Sequence, residues 1–424
     1  MARSAKPALA AVLLAVVCLS ALHVVAARGA RVGARHRRGP GAGRAITASA
    51  IGPGTELLRI RVPGPGGPIR ADVLRIDLAD PGVRVGLLDP GVLAAVAPVS
   101  AMARRAGAFA AINGDFFNIG AAGAPIGPVV SGGQLLKGPE AGRELAVGVG
   151  VDGVARIAEV WFRGSAQLPT GRRVLSDLND ANRGPKPILA PNGIGLFTSA
   201  WGAYSRTGAV RGLHSVTQVV VRGDRVVRIS HRAGAGTISR GTDVLLGAGL
   251  GGRALDRLRV GQPVSISAAQ GTDAAEAFQF AIGAKYRLLT NGAVSPGLPA
   301  SAGQPRTAIG LADGGQVMDL VVTAGPPAIG SRRGAVPGLD LPELARFLRG
   351  IGVRDAVALD DGGSTTIVAR QGGHGRLALL NRPSDGSERR VANGVGVFAV
   401  PTPGAVLHIA RLAPGAVLRT ATPG

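Results

Sequence analysis

The chain has 424 residues, 46% apolar and 17% charged, with a formal net charge of +22 from 48 basic and 26 acidic side chains. This length and apolar content exclude a disordered or collagen-like chain, and they suffice for one large domain or two average ones. Aromatic residues make up only 3%, whereas 67 Gly and 29 Pro announce many turns and few long helices. Lysine occurs only at Lys6, Lys137, Lys186 and Lys285, and an arginine bias of this kind reflects GC-rich coding as readily as an anionic partner.

At the N-terminus, Arg3 and Lys6 precede an apolar run from Ala8 to Leu22, and Val25-Ala26-Ala27 offers small residues before a cut near Arg28. This is the pattern of a signal peptide over residues 1–27. The alternative is an uncleaved anchor, because the stretch approaches the ~20 residues that span a bilayer. The sole cysteine, Cys18, follows Val17, where a lipoprotein signal would want a small residue. Once the signal is removed, the chain has no disulfide, no thiol nucleophile, no thiolate metal site and no stable membrane span. These features fit a bacterial secreted or envelope protein. Residues 28–55 carry Arg28, Arg31, Arg35, Arg37, Arg38 and Arg44 with no acid before Glu56, and read as a basic, flexible linker.

The main folded region is expected over 56–400, with a tail at 401–424. Short strands are predicted at 57–62, 71–78 and 83–88, followed by a helix over 99–108 with Ser100 as its N-cap and Gly107 near its end. A strand at 109–112 leads into Asn113-Gly114-Asp115-Phe116-Phe117-Asn118. The middle segment, 165–275, reads as a β-rich insertion. Its clearest element is a hairpin, 215–221 and 225–229, turning at Gly223-Asp224. A short helix is expected within 244–258 before a strand at 264–268. The best helix follows Asp340, with Pro342 in its first turn and Leu341, Leu344, Ala345 and Leu348 on one face. Strands at 355–359 and 365–369 flank Asp360-Asp361-Gly362-Gly363-Ser364, and a last strand is expected at 405–410. The class is therefore α+β, strand-rich with a few short helices. One internal echo exists: R-E-L-A-V-G-V from Arg143 and R-T-A-I-G-L from Arg306, each followed by an Asp-Gly. Two halves of one domain, or chance likeness of β-rich segments, explain it equally well.

Four clusters at strand ends or turns have chemistry to offer. In the first, Asp115 and two amides, Asn113 and Asn118, sit beside two of only nine phenylalanines. A phenylalanine wall would raise the pKa of Asp115, although an ordinary Asx turn anchored by Phe accounts for the pattern as well. In the second, Asp360 and Asp361 could act as acid, base or nucleophile, or bind Ca²⁺ or Mg²⁺, while the amides of Gly362, Gly363 and Ser364 could form an anion nest. The third is Arg306. The fourth is Asn381-Arg382-Pro383-Ser384 with Glu388, Arg389, Arg390 and Asn393. Arginine forks suit phosphate, though a solvated surface arginine is the default in so arginine-rich a chain. Missing are G-x-x-x-x-G-K-[ST], H-E-x-x-H and G-x-S-x-G. The six histidines lack metal-ligand spacing, and two Trp and two Tyr are too few for nucleic-acid stacking platforms, so a nucleic-acid partner is not expected.

The order and wording of AINGDFFN (111–118), LLTNG with PRTAIGLADGG (288–315), LPELARFLRGIGVRDAVALDDGGSTTIV (341–368) and NRPSDGSERRVANGVGVF (381–398) resemble the phosphodiester glycosidase family. One departure is that Asp361 stands where the family usually has the first glycine of L-D-G-G-G-S, which adds negative charge and asks for a backbone that a non-glycine residue can adopt. The resemblance implies hydrolysis of the bond between the anomeric carbon and the phosphate oxygen of a sugar-1-phosphodiester, with no cofactor required. It assigns the acid pair to Asp360 and Asp115, with Asp361 beside them. It places Arg306 and Arg389 on the phosphate with Arg390 in reserve, and Asn113, Phe117, Asn118, Asn393 and the Gly362–Ser364 amides around the substrate. Rival readings are a metal-dependent phosphodiesterase that breaks P–O, and a non-catalytic module that binds anionic wall polymers through its arginines.

Overall fold

Strands dominate the computed structural model, which describes residues 46–63, 68–182, 184, 188–300, 303–325, 338–370 and 375–400. The expected signal peptide, the tail at 401–424 and its strand at 405–410 lie outside the described residues. The expectation of an α+β class holds only loosely, because among the described residues twenty-seven strands accompany three α-helices. No helix among the described residues is long and apolar enough to cross a membrane. The basic linker expected to reach residue 55 gives way earlier, since Ile46–Gly52 is already a strand paired antiparallel with Thr55–Val62.

The three helices form where the sequence supplies ends for them. Helix α1 (Val99–Ala106) closes on Gly107, whose φ of 76° suits a residue without Cβ. Ser100 is not its cap. Pro98 holds that place, and Ser100 N and Oγ instead donate to the Glu388 carboxylate at 2.7 and 2.6 Å, so an acid from 288 residues away neutralises the helix start. Helix α2 (Gly249–Asp256) follows the strand Thr242–Gly247. Helix α3 (Leu341–Gly350) has a full capping box. Glu343 N donates to Asp340 Oδ1 at 2.6 Å, Asp340 N donates to Glu343 Oε2 at 2.9 Å, and Leu341, Leu344, Ala345 and Leu348 are buried. The predicted hairpin is Thr217–Arg222 with Arg225–Ser230, and Gly223 and Asp224, with φ of 54° and 55°, give the left-handed turn that matches strand twist.

Three sheets matter for the site. The first has eight strands in the order Ile46–Gly52, Thr55–Val62, Ile69–Asp77, Val317–Ala324, Arg306–Ala312, Asp355–Ala358, Tyr286–Thr290 and Ala293–Val294. The second has five, with Ala110–Asn113 between Ile367–Arg370 and Gly394–Ala399. The third has seven, with Leu145–Gly150 pairing Phe278–Gly283. The middle segment adds a further five-stranded sheet that includes the predicted hairpin. One core joins the first three sheets: Leu74, Ile309 and Val357 from the first, Ile112, Ile367 and Val395 from the second, and Val147, Phe280 and Ile282 from the third are all buried together. Strand ends from all three therefore meet around that core, which brings residues far apart in sequence into one place.

Candidate active site

The site is built on Asn113, the last residue of a fully buried strand. Its Oδ1 accepts from Thr307 Oγ1 at 2.7 Å and from Thr366 N at 3.0 Å, and its Nδ2 donates to the Asp360 carbonyl at 2.8 Å. One amide side chain thus ties together three segments that bear candidate residues. Next to it, Gly114 N donates to Asn393 O and Asp360 N donates to Gly114 O, both at 3.0 Å. A Cβ on Gly114 would lie 2.2 Å from Asn393 Oδ1, so only glycine permits this approach. Asn393 Oδ1 in turn accepts from Asp115 N at 2.9 Å. Asn113 and Asn393 are therefore scaffolding that sets the two acids against each other.

Asp115 is 1% exposed. Its Oδ2 accepts from Gly127 N at 2.6 Å, and its Oδ1 accepts no hydrogen bond from the described residues. Glycines at 127 and 283 are what make room for it, since a Cβ on either would sit 2.7 or 2.4 Å from Oδ2. Burial pushes its pKa up to about 6, against the lowering charge of Arg143, whose Nη2 lies 3.8 Å from Oδ1. Phe116 forms the adjoining wall, with the Arg143 guanidinium 5.5 Å and Lys285 Nζ 5.2 Å from its ring centre. The expected substrate contact, Phe117, belongs elsewhere. It packs against the core around Leu88, Val99 and Met102, because successive side chains of an extended segment point to opposite sides. Asn118 shapes the following turn, where its carbonyl accepts from Ala121 N and Gly123 N at 3.3 and 3.1 Å.

Asp360 is 7% exposed. Burial pushes its pKa up to about 7, the Ser364 hydroxyl and the Asp361 amide pull the other way, and the charges of Asp361 and Asp115 add to the rise. Its Oδ1 accepts from Asp361 N at 3.0 Å, and its Oδ2 has no hydrogen-bond partner among the described residues. Asp115 and Asp360 are thus close enough to feel one another's charge. Asp361 is turned away to ion-pair with Arg306 Nη1, while Arg306 Nε donates to the Leu339 carbonyl at 2.9 Å. Arg306 is only 3% exposed, so it is a buried, paired residue and not the open phosphate fork that the sequence suggests. The concern over backbone at Asp361 also dissolves: its φ of −132° is ordinary extended backbone, and the left-handed conformation falls on Gly362, φ 60°.

The expected anion nest does not form in this turn. Gly362 N donates to the Pro305 carbonyl at 2.9 Å and Ser364 N to the Asp361 carbonyl at 3.2 Å, so both amides are used within the protein. Gly363 serves another end. Arg389 and Asp385 lie across it, 2.0 and 2.3 Å from where its Cβ would be. Arg389 Nε donates to Asp385 Oδ2 at 2.7 Å and Nη1 to Ser364 Oγ at 3.3 Å, which puts it beside Asp360 through Ser364. Arg390 is directed to the Val96 carbonyl at 2.6 Å on an exposed edge, with its strand paired to Ala97–Pro98. Arg143, Lys285, Gly127 and Gly283 are site residues that the sequence did not single out as such, whereas Phe116 is the phenylalanine wall expected beside Asp115. Only the R-E-L-A-V-G-V echo drew notice to Arg143.

Chemically, the arrangement is a pair of buried carboxyls that hold protons near neutrality, flanked by cations. This is the equipment of acid–base hydrolysis. The phosphodiester glycosidase family model matches residues 215–398, which include Arg306, Asp360, Asp361, Arg389 and Asn393 but not Asp115 or Arg143. The match supports a glycosidase-type hydrolase. No curated protein matches the chain. A hypothetical protein from Synechocystis superposes with a TM-score of 0.65 and 23% identity over 85% of this chain, which spans 64% of that protein's length. A Burkholderia pseudomallei protein described as exported gives 0.65 and 18% over 85% of this chain and 97% of its own. At these identities the likeness is one of fold. The zebrafish N-acetylglucosamine-1-phosphodiester alpha-N-acetylglucosaminidase catalytic domain, auto-inhibited by its pro-peptide, gives 0.44 and 14% over 85% of this chain and 89% of its own.

Proposed function

We propose that the chain is an exported bacterial hydrolase that cleaves the sugar C1–O bond of a sugar-1-phosphodiester. The observation that carries this reading is the meeting of Asp115 and Asp360. They are buried carboxyls from different strand ends, with pKa values raised to about 6 and about 7, each with one oxygen that no described residue occupies. Both groups have pKa values raised toward neutral pH, so one is poised to act as a base while the other stabilises charge. In the proposed step, Asp360 takes a proton from water as the water oxygen bonds to C1. The C1–O bond breaks with its electron pair passing to the phosphate oxygen, and a phosphate monoester leaves. That leaving group is a weak base and needs little protonation; cations near the site stabilise its charge instead. Asp115, as a carboxylate, would offset the positive charge that develops on the sugar ring. The extracytoplasmic location rests on the apolar run from Ala8 to Leu22.

Hydrolysis of an N-acetylglucosamine-1-phospho-alkyl ester in ¹⁸O-labelled water, with and without EDTA, tests the reading. Label in the sugar with EDTA-insensitive turnover is expected. Label in the phosphate would replace this reading with P–O cleavage by a metal-dependent phosphodiesterase. Against that rival stands the pairing of Asp361 with Arg306, which turns the two adjacent carboxylates toward different partners. No turnover across several sugars would refute the proposed chemistry.

A further inference from the structure

Two arginines have opposite-charge partners among the acids of this site, and they are held differently. Arg306 is engaged by Asp361 and by the Leu339 carbonyl. Arg143 has Nε and Nη2 buried, and neither donates a hydrogen bond to any described residue. These two nitrogens form the side-on edge of the guanidinium, the edge that grips two oxygens at once. Elsewhere in this chain the same edge does so: Arg75 Nε and Nη2 donate to the two Asp319 oxygens at 2.9 and 2.7 Å. Arg143 has no such clasp, because its nearest acid oxygen, Asp115 Oδ1, is 3.8 Å away. Its side chain is 20% exposed as a whole, while Nε and Nη2 themselves are covered. Lys285 is exposed and lies near the same phenylalanine, 5.2 Å from the ring of Phe116, and 4.9 Å from that of Tyr286.

We propose that Arg143, with Lys285 near the same Phe116 ring, is the subsite that receives the anionic phosphate of the substrate, the role expected of Arg306 from the sequence. This rests on the reading of an anionic substrate given above. Phe116 lies against both cations. Specificity for an anionic leaving group then comes from the segment around residue 143, outside the 215–398 stretch that matches the family.

The test is calorimetric titration of the purified protein with inorganic phosphate at pH 7, which needs no turnover. Arg143→Gln should weaken binding about 10-fold or more, the loss of a charge-assisted contact. Lys285→Ala, at an exposed position, should weaken it about 3-fold with an unchanged melting temperature. Wild-type protein that binds no phosphate at tens of millimolar, or folded Arg143→Gln that binds as wild type, overturns the proposal. Should Arg143→Gln fail to fold, unchanged affinity in Lys285→Ala overturns it. Phosphate binding that depends on Arg143 in a protein that releases no sugar would uphold this subsite and sink the glycosidase reading, so the two fail separately.

Discussion

Replacing Asp360 with Asn should abolish turnover and yet stabilise the protein at pH 8. The folded-state pKa of Asp360 is raised from 3.8 to about 7, chiefly by burial. A raised carboxyl pKa means that the folded state binds the proton more tightly than the unfolded chain. Stability is therefore greatest below the unfolded pKa and is lost as pH rises through the folded one. At about 1.4 kcal/mol per pKa unit, this shift costs the folded state about 4 kcal/mol above pH 7, an upper bound for a single residue. An Asn side chain carries no such penalty. Its oxygen can keep the bond from Asp361 N, while its amide hydrogens would stand where Oδ2 finds no partner, a loss of about 1–3 kcal/mol. The net gain at pH 8 is then about 2 kcal/mol. The sharper signature is pH-dependent: from pH 8 to pH 5 the stability of Asp360→Asn relative to wild type should fall by about 2–3 kcal/mol, enough to cancel or reverse its advantage. Urea denaturation followed by fluorescence at both pH values reads it. A difference that is the same at pH 5 and pH 8, or an Asn variant less stable at pH 8 than at pH 5 relative to wild type, would refute the claim that burial holds this carboxyl protonated.

If Asp360 is the base, kcat/KM should fall on the acid side with a midpoint near 7, as its raised pKa requires, and a midpoint near 4 would remove Asp360 from that role. Gly283→Ala would place a Cβ 2.4 Å from Asp115 Oδ2 and 2.6 Å from Gly127 Cα, and the forced shift should cost about 100-fold in kcat/KM; an active variant would show that the placement of Asp115 is not critical. Lys137→Met would strand Asp180, which now accepts from Lys137 Nζ at 2.9 Å with both side chains buried, and should cost about 3–5 kcal/mol of stability by urea titration; a loss below about 1 kcal/mol would mean that the pair is not needed.

Local chemistry made much of this chain legible. Helix α3 was readable because its cap, its Pro and its apolar spacing are all contained in ten consecutive residues, and the Gly223-Asp224 hairpin because its turn needs two left-handed residues that the sequence supplies. The acids at Asp115 and Asp360 stood out as carboxyls placed between apolar strands and glycine turns. What those residues face is a different matter, because partners separated by hundreds of positions leave no local trace. The cap of α1 comes from Glu388, and Asp115 depends on Gly127, Arg143 and Gly283. Arg306 looked free on paper, but the tertiary structure buried it against Asp361 and left one edge of Arg143 without a hydrogen-bond partner among the described residues. Residue type and spacing by themselves determined which groups were able to ionise and turn. Only packing decided which charges were paired, which were desolvated, and so which are available to a substrate, because desolvation and pairing are properties of surroundings that the fold assembles from three sheets at once.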